Sequence, residues 1–147
     1  MQEPVSFFTG FNPNDLWFLG EAALKTLWIS ILSITIGSVM GCVFGWVLHE
    51  SKSVAGIILA PILDVFRSVP LLIQLVLFYN FAPMVGLDLN PFLSGVVILT
   101  FYTASLVTNV ARGGIESVET SMRRASRSLG LTYWQDLFHV VLPIGGR

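Results

Sequence analysis

The most restrictive feature of this sequence is the stretch 27–48, a run of 22 residues without Asp, Glu, Lys or Arg. A helix rises about 1.5 Å per residue, so this run is long enough to cross a hydrocarbon core of about 30 Å. Asp15 and Glu21 precede it and no basic patch does, which is not the pattern of a secretory signal. We therefore expect a membrane-spanning helix.

The composition extends this expectation to the whole chain. Only 12% of the residues are charged and 54% are hydrophobic, whereas a typical soluble domain carries about 25% charged residues. Such a chain cannot cover a globular surface with ions, and it is too hydrophobic to be disordered. The net charge of -1 gives no electrostatic basis for nucleic-acid binding, and the single cysteine, Cys42, cannot support a disulfide framework. The predicted fold class is an all-α integral membrane protein.

Three hydrophobic stretches, after an N-terminal segment over residues 1–23, are long enough to be spans. They lie at about 24–48, 54–82 and 89–111. The second is too long for one straight helix, and Pro70 lacks a backbone donor and disfavours helix at the residue before it. We expect a break near 68–70. Asp64 and Arg67 precede this break and are interpreted either as a structural ion pair or as substrate contacts.

The distribution of basic residues predicts the orientation in the membrane. Residues 80–90 contain no Lys or Arg, and neither do the first 24 residues, whereas basic residues follow the first and third spans. These are His49, Lys52, Arg112, Arg123, Arg124 and Arg127. We expect the N-terminus outside and residues 112–147 in the cytoplasm.

Small residues recur every four positions along the first span, at Ser33, Gly37, Gly41 and Gly45. Such a stripe lets another helix approach closely. Two partners are open at this point: a helix of the same chain, or a second subunit.

The residues after the third span predict two helices. Gly113-Gly114 is expected to end the span, and a helix over 115–129 is expected to follow, with an ion pair from Glu119 to Arg123. Gly130 occupies the position of a left-handed C-terminal cap.

The second of these helices is amphipathic. Thr132 and Gln135 have the spacing of a capping box, and Leu142-Pro143 is expected to end the helix. Its apolar face consists of Trp134, Leu137, Phe138 and Val141. This face would lie on lipid headgroups or fill a groove of a cytoplasmic partner.

Polar residues within the spans are candidates to line a solute path. They are Arg67, Gln74, Thr103, Ser105, Thr108 and Asn109. The hydroxyl groups have an alternative, which is to hydrogen-bond back to their own helix. No phosphate-binding loop is present, and His49 and His139 belong to no metal-binding pattern, so we expect no catalytic residue and no metal ligand in this chain.

The stretch 112–147 resembles the cytoplasmic EAA loop of the membrane permeases of bacterial ABC importers. That loop has the pattern E-A-A-x-x-x-G followed by an I-x-L-P-like ending. Ala125 and Ser126 stand at the two alanine positions, Gly130 matches the glycine, and 141–143 match the ending. Upstream, FRSVPLLIQ at 66–74 is similar to the F-R-G-T-P-L-L-V-Q signature of the polar amino-acid subfamily. The end of the third span, together with residues 112–115, is similar to the Y-x-A-E-I-x-R-G-G-I stretch of the same subfamily.

This resemblance implies a type I ABC-importer transmembrane fold, here as three spans plus cytoplasmic coupling helices. It implies a permease subunit in the bacterial inner membrane, with a periplasmic N-terminus and without enzymatic activity of its own. Its partners would be a second permease, identical or paralogous, an ATPase dimer that binds ATP and Mg²⁺, a periplasmic solute-binding protein and membrane lipid. The short helix over 132–142 would dock on the ATPase, with Asp136 and His139 on its polar side. The implied coupling residues are Arg124, Ala125, Gly130, Thr132, Tyr133, Trp134, Gln135, Leu137 and Phe138.

The sequence departs from the family pattern at three points. Arg124 replaces the acidic residue of the loop, and Asn109 replaces the acidic residue of the third-span pattern. The chain ends at Arg147, where a fourth of five expected spans would begin. Two interpretations follow: a permease cut short, or a non-transporting membrane protein that retains the ATPase-docking loop. No residue supports a third class, a membrane enzyme.

Overall fold

The computed structural model describes residues 13–51 and 54–146, and within these ranges it contains helices and no strands. The helices are α1 (Pro13–Glu50), α2 (Val54–Ser68), α3 (Leu71–Phe81), α4 (Pro91–Ser117), α5 (Thr120–Ser128), α6 (Tyr133–Asp136) and α7 (Leu142–Gly145). A 3₁₀ turn, Ala82–Val85, follows α3, and a π turn, Leu137–Val141, joins α6 to α7. Lys52, Arg147 and the first twelve residues of the expected N-terminal segment lie outside the described ranges.

Helix α1 begins earlier than the start of the first span expected at residue 24. It contains 38 residues and is therefore about 57 Å long, nearly twice the thickness of a hydrocarbon core. Pro13 stands at its first position, where a missing N–H costs nothing. No further proline follows within the helix, and an isolated glycine such as Gly20 costs only about 1 kcal/mol.

The small-residue stripe of α1 packs against α4 of the same chain, which confirms the intramolecular interpretation. A Cβ atom added to Gly41 would lie 2.6 Å from the Cβ of Val107, and one added to Gly45 would lie 2.8 Å from the carbonyl oxygen of Thr108. Ser33 donates a hydrogen bond to the carbonyl oxygen of Val96 at 3.3 Å. Because these glycines carry no side chain, the two backbones can approach closely, and the contacts run from Ser33 to Gly45, about a third of α1.

Helices α2 and α3 meet at a bend of 106°, at the residues 68–70 where the break is expected. The amide of Gln74 bridges the bend, since its Nε2 donates to the carbonyl oxygens of Phe66 at 2.5 Å and Val69 at 2.6 Å. The ring of Phe66 stacks on Phe101 of α4 with centroids 5.5 Å apart. Among the described helices, α1 and α4 are long and apolar enough to cross a membrane, and the bent pair can supply a third crossing.

The expectation that Gly113-Gly114 ends the third span is wrong, because α4 continues to Ser117. A Cβ atom on Gly114 would lie 2.6 Å from the carbonyl oxygen of Gly145, so this glycine permits a close approach of α7 rather than a helix end. The break falls instead at Val118, whose backbone is extended. Consequently the helix predicted over 115–129 begins only at Thr120.

Candidate functional site

The strongest candidate for function is the C-terminal segment, residues 118–146, which folds as a helix, a glycine turn and a second helical stretch. Gly130 has a φ of +82°, so it is the left-handed cap that the sequence predicts. The capping box of Thr132 and Gln135 is also confirmed, and the Gln135 side chain accepts from the Thr132 N–H at 2.9 Å. The glycine cap and the capping box together turn the chain sharply between α5 and α6.

The inner face of this segment is apolar and packs on the end of α4. Leu137 and Val141 are buried with Ile115 and Val118, and Trp46 of α1 packs against the same cluster. The predicted end at Leu142-Pro143 does not occur, because the wide π turn comes before Pro143 and a short helix continues to Gly145. A proline near the start of α7 is tolerated since its missing N–H is not needed there.

The aromatic residues of the segment are divided between the interior and the surface. The Tyr133 hydroxyl donates to Glu50 Oε1 at 2.7 Å and accepts from the indole N–H of Trp46 at 2.8 Å. Burial raises the pKa of Tyr133, and the Glu50 carboxylate adds to the rise, so the phenol stays a donor. Trp134 and Phe138 remain 56% and 59% exposed, with their rings stacked 6.3 Å apart.

Asp136, expected on the polar side of the helix, is instead only 1% exposed. It accepts a hydrogen bond from the Ser126 hydroxyl, and Arg123 Nε lies 3.6 Å from its other oxygen. The Arg123 guanidinium also lies 3.2 Å from His49 Nε2 of α1. A buried carboxylate needs a cation and a hydrogen-bond donor, and α5 supplies both. Arg123 therefore points to Asp136 and His49 rather than forming the predicted pair with Glu119.

Helix α5 and its turn form the most exposed part of the segment. Leu129 is 81% exposed, and Arg124, Ala125, Arg127 and Gly130 are also exposed. Within the described ranges, neither Arg124 nor Arg127 has an ion-pair or hydrogen-bond partner for its guanidinium. A cavity of about 450 Å³ lies between these arginines and the end of α1. The surface of α5 is thus cationic and unpaired.

The candidates for a solute path are not brought together in one lining. Ser105 and Thr108 are buried. Their hydroxyls donate to the carbonyl oxygens of Tyr102 and Ala104 in the same helix, which is the alternative expected for these hydroxyl groups. Arg67 is exposed and pairs with Asp64, which is the structural alternative for these two residues. Gln74 bridges the bend between α2 and α3, and Asn109 is exposed on α4.

Sequence reasoning missed the residues of α1 that hold the segment, namely Trp46, His49 and Glu50. Their spacing of three and four residues places them on one side of the helix, and this was the available signal. As for metals, the described part of the chain brings no three His, Cys, Asp or Glu side chains into a cluster that could hold an ion.

Comparison with solved structures defines the class of protein. An amino acid ABC transporter superposes on 88% of this chain, covering 64% of its own chain, with a TM-score of 0.70 and 29% sequence identity. The fold is therefore that of an ABC transporter transmembrane domain. Residues 33–145 match the family model of the binding-protein-dependent transport system inner membrane component, and the chain belongs to that family.

Two curated relatives show which members of this family the chain is similar to. It is 30% identical over 143 residues to the glutamine transport system permease protein GlnP of Escherichia coli K12, covering 93% of this chain and 65% of that protein. It is 28% identical over 141 residues to the probable glutamine ABC transporter permease protein GlnP of Bacillus subtilis, covering 95% of this chain and 64% of that protein. The chain thus spans slightly less than two thirds of the length of these relatives.

Proposed function

We propose that this chain is the transmembrane permease subunit of an ATP-driven importer for polar amino acids. The observation that carries the proposal is the exposed, cationic α5 with its glycine turn, displayed at one end of a tightly packed α1–α4 pair. The glutamine permeases among its relatives support the substrate class. The non-transporting alternative is not favoured by these relatives.

In this proposal α5 and its turn are the part that meets a cytoplasmic ATPase. Of the expected coupling residues, Arg124, Ala125 and Gly130 are exposed. Trp134 and Phe138 are also exposed and form an apolar patch next to Trp46 of α1. Tyr133 and Leu137 face the protein interior and so support the segment rather than touch the partner. Thr132 and Gln135 fix the turn. ATP and Mg²⁺ would be bound by the ATPase, and none by this chain.

The remaining partners follow from the same proposal. A second permease, identical or paralogous, would complete the pathway, and a periplasmic binding protein would deliver the solute to the opposite face. The N-terminus would lie in the periplasm, since the basic residues cluster after α1 and α4. Asn109 and Gln74 remain candidates for contact with the solute, whereas Arg67 is paired with Asp64. No nucleic acid is expected among the partners.

Disulfide cross-linking tests this proposal directly. Cys42 is first replaced by Ser, and a cysteine is placed at Leu129, which is 81% exposed at the tip of the turn. Val85, 75% exposed beyond α3, is the matched control position. We expect the Leu129→Cys variant to cross-link to cysteines introduced in the ATPase groove, with a yield that changes on addition of ATP.

Three outcomes separate the alternatives. Cross-linking at Leu129 together with solute uptake by vesicles supports the permease. Cross-linking in an assembled complex that takes up no amino acid would indicate the non-transporting membrane protein. Equal cross-linking at Leu129 and at Val85, or none at Leu129 in an assembled complex, would contradict the proposed docking.

A further inference from the structure

The C-terminal segment is attached to α1 by two groups of polar contacts that the chain connectivity does not require. The first, here named the Tyr133 lock, consists of Trp46, Glu50 and Tyr133. The second, the Asp136 lock, joins Ser126, Arg123 and Asp136 to His49 of α1. We propose that these locks pass movement of α5 into the membrane domain through α1. The inference rests on the proposed function and specifies its route.

The covalent connection is poorly suited to carry this movement. Between α4 and α5 the helix is interrupted at Val118 and Glu119, which have extended backbone angles. Rotation about these two residues changes the direction of α5 without moving α4. A second attachment is therefore needed to set the orientation of α5.

The apolar contacts with α4 do not set this orientation by themselves. Leu137 and Val141 pack on Ile115 and Val118, and such contacts are not directional. Hydrogen bonds are directional, and those of Tyr133 are made to two residues on one turn of α1, Trp46 and Glu50. The hydroxyl uses its single hydrogen on Glu50 and receives the Trp46 N–H, so both partners fix its position.

Movement that reaches the end of α1 is then transmitted to α4. Gly37, Gly41 and Gly45 bring the two backbones so close that an added Cβ atom would meet α4 at 2.6–2.8 Å. Protein interiors packed in this way shift as units rather than deform continuously. The locks thus act on the α1–α4 pair together, whereas the bent α2–α3 pair contributes no residue to either lock within the described ranges.

The test uses the Tyr133→Phe variant in the assembled complex, reconstituted in vesicles with its ATPase and binding protein. This change removes both hydrogen bonds and keeps the ring contact with Trp134, whose centroid is 5.5 Å away. Tyr79→Phe, on the exposed side of α3, is the matched control. We expect Tyr133→Phe to lower solute taken up per ATP hydrolysed by about fivefold or more, the worth of at least one hydrogen bond, and Tyr79→Phe to leave it unchanged.

Variants of Glu50 distinguish transmission of movement by this hydrogen bond from a purely structural role of Tyr133. Glu50→Ala should lower the same ratio, and Glu50→Gln, which keeps an oxygen acceptor, should restore it. Normal uptake per ATP in Tyr133→Phe or in Glu50→Ala would overturn the inference. If Tyr133→Phe does not assemble, Trp46→Phe, which removes the indole N–H together with part of the ring that packs near Trp134, must show the loss while Glu50→Gln does not, or the inference fails.

Cross-linking at Leu129 tests this inference separately from the proposed permease function on which it rests. Retained ATP-dependent cross-linking in Tyr133→Phe with reduced uptake supports the locks as the route after docking. Retained cross-linking with normal uptake refutes the route and leaves the proposed function intact. Absence of both cross-linking and solute uptake in the assembled parent complex would refute the proposed function itself.

Discussion

Replacement of Gly41 by alanine measures how much the close contact of α1 and α4 stabilises the protein. A Cβ atom at this position would lie 2.6 Å from Val107 Cβ and 2.9 Å from the carbonyl oxygen of Ala104. Overpacking of this kind costs about 1–3 kcal/mol, while alanine gains about 1 kcal/mol over glycine within a helix. We therefore expect Gly41→Ala to lower the free energy of unfolding by about 0–2 kcal/mol.

The matched control is Gly20→Ala, in the same helix, where an added Cβ atom has no neighbour within 4 Å. It receives the same helix-propensity gain without the clash, so it should be about 1 kcal/mol more stable than the parent. The two variants should then differ by about 1–3 kcal/mol. Reversible unfolding of the chain in mixed micelles with increasing SDS, followed by circular dichroism, measures this difference. Equal unfolding midpoints for Gly41→Ala and Gly20→Ala would refute the packing of α1 on α4.

Three further changes address the C-terminal segment. Asp136→Asn leaves Arg123 without its buried anion and should destabilise the segment by up to about 3–5 kcal/mol. Faster amide hydrogen exchange over residues 120–145 would show this loss of stability. Unchanged exchange would contradict the burial of this pair. Replacing both Trp134 and Phe138 by Ala should uncouple ATP hydrolysis from transport, and unchanged uptake in vesicles would count against a docking role for this apolar patch. Arg124→Glu should weaken cross-linking at Leu129 if the ATPase presents a carboxylate there. Added salt should then also weaken cross-linking of the parent protein. Stronger cross-linking in the variant would mean that the partner presents a cation instead.

The features that could be predicted from the sequence depend on neighbours within a few residues. Gly130 is a left-handed cap because the turn requires a positive φ, and Thr132 with Gln135 forms a capping box because their spacing permits it. Pro70 breaks the second hydrophobic stretch through its own backbone chemistry. The stripe of α1 glycines indicated close helix packing, and only the identity of the partner helix needed the structure.

The features that could not be predicted depend on contacts between distant parts of the chain. Asp136 appears polar and solvent-facing by helical spacing, and its burial follows only from the approach of Arg123 and Ser126 across the glycine turn. The family resemblance implies that Tyr133 is a coupling residue, and only the structure shows that it lies beside Trp46 and Glu50, which come more than 80 residues earlier. Gly114 was expected to end a helix. Its role is instead to leave room for the backbone at Gly145, a contact between distant residues that the local sequence does not reveal.

The charges of the C-terminal segment also explain which of its residues are left for a partner. A carboxylate out of water is costly, so the buried Asp136 is held by the Ser126 hydroxyl and by Arg123 from α5. An arginine in water has no such cost. Arg124 and Arg127 are exposed beside the cavity that Arg123 also lines, and their guanidinium groups have no ion-pair or hydrogen-bond partner among the described residues. The helix therefore carries one arginine, Arg123, that pairs with an anion within the chain, and two exposed arginines that do not. Any partner that binds here gains most by supplying anions to Arg124 and Arg127, which lie on the same short helix as Arg123, the residue that contacts His49 of α1.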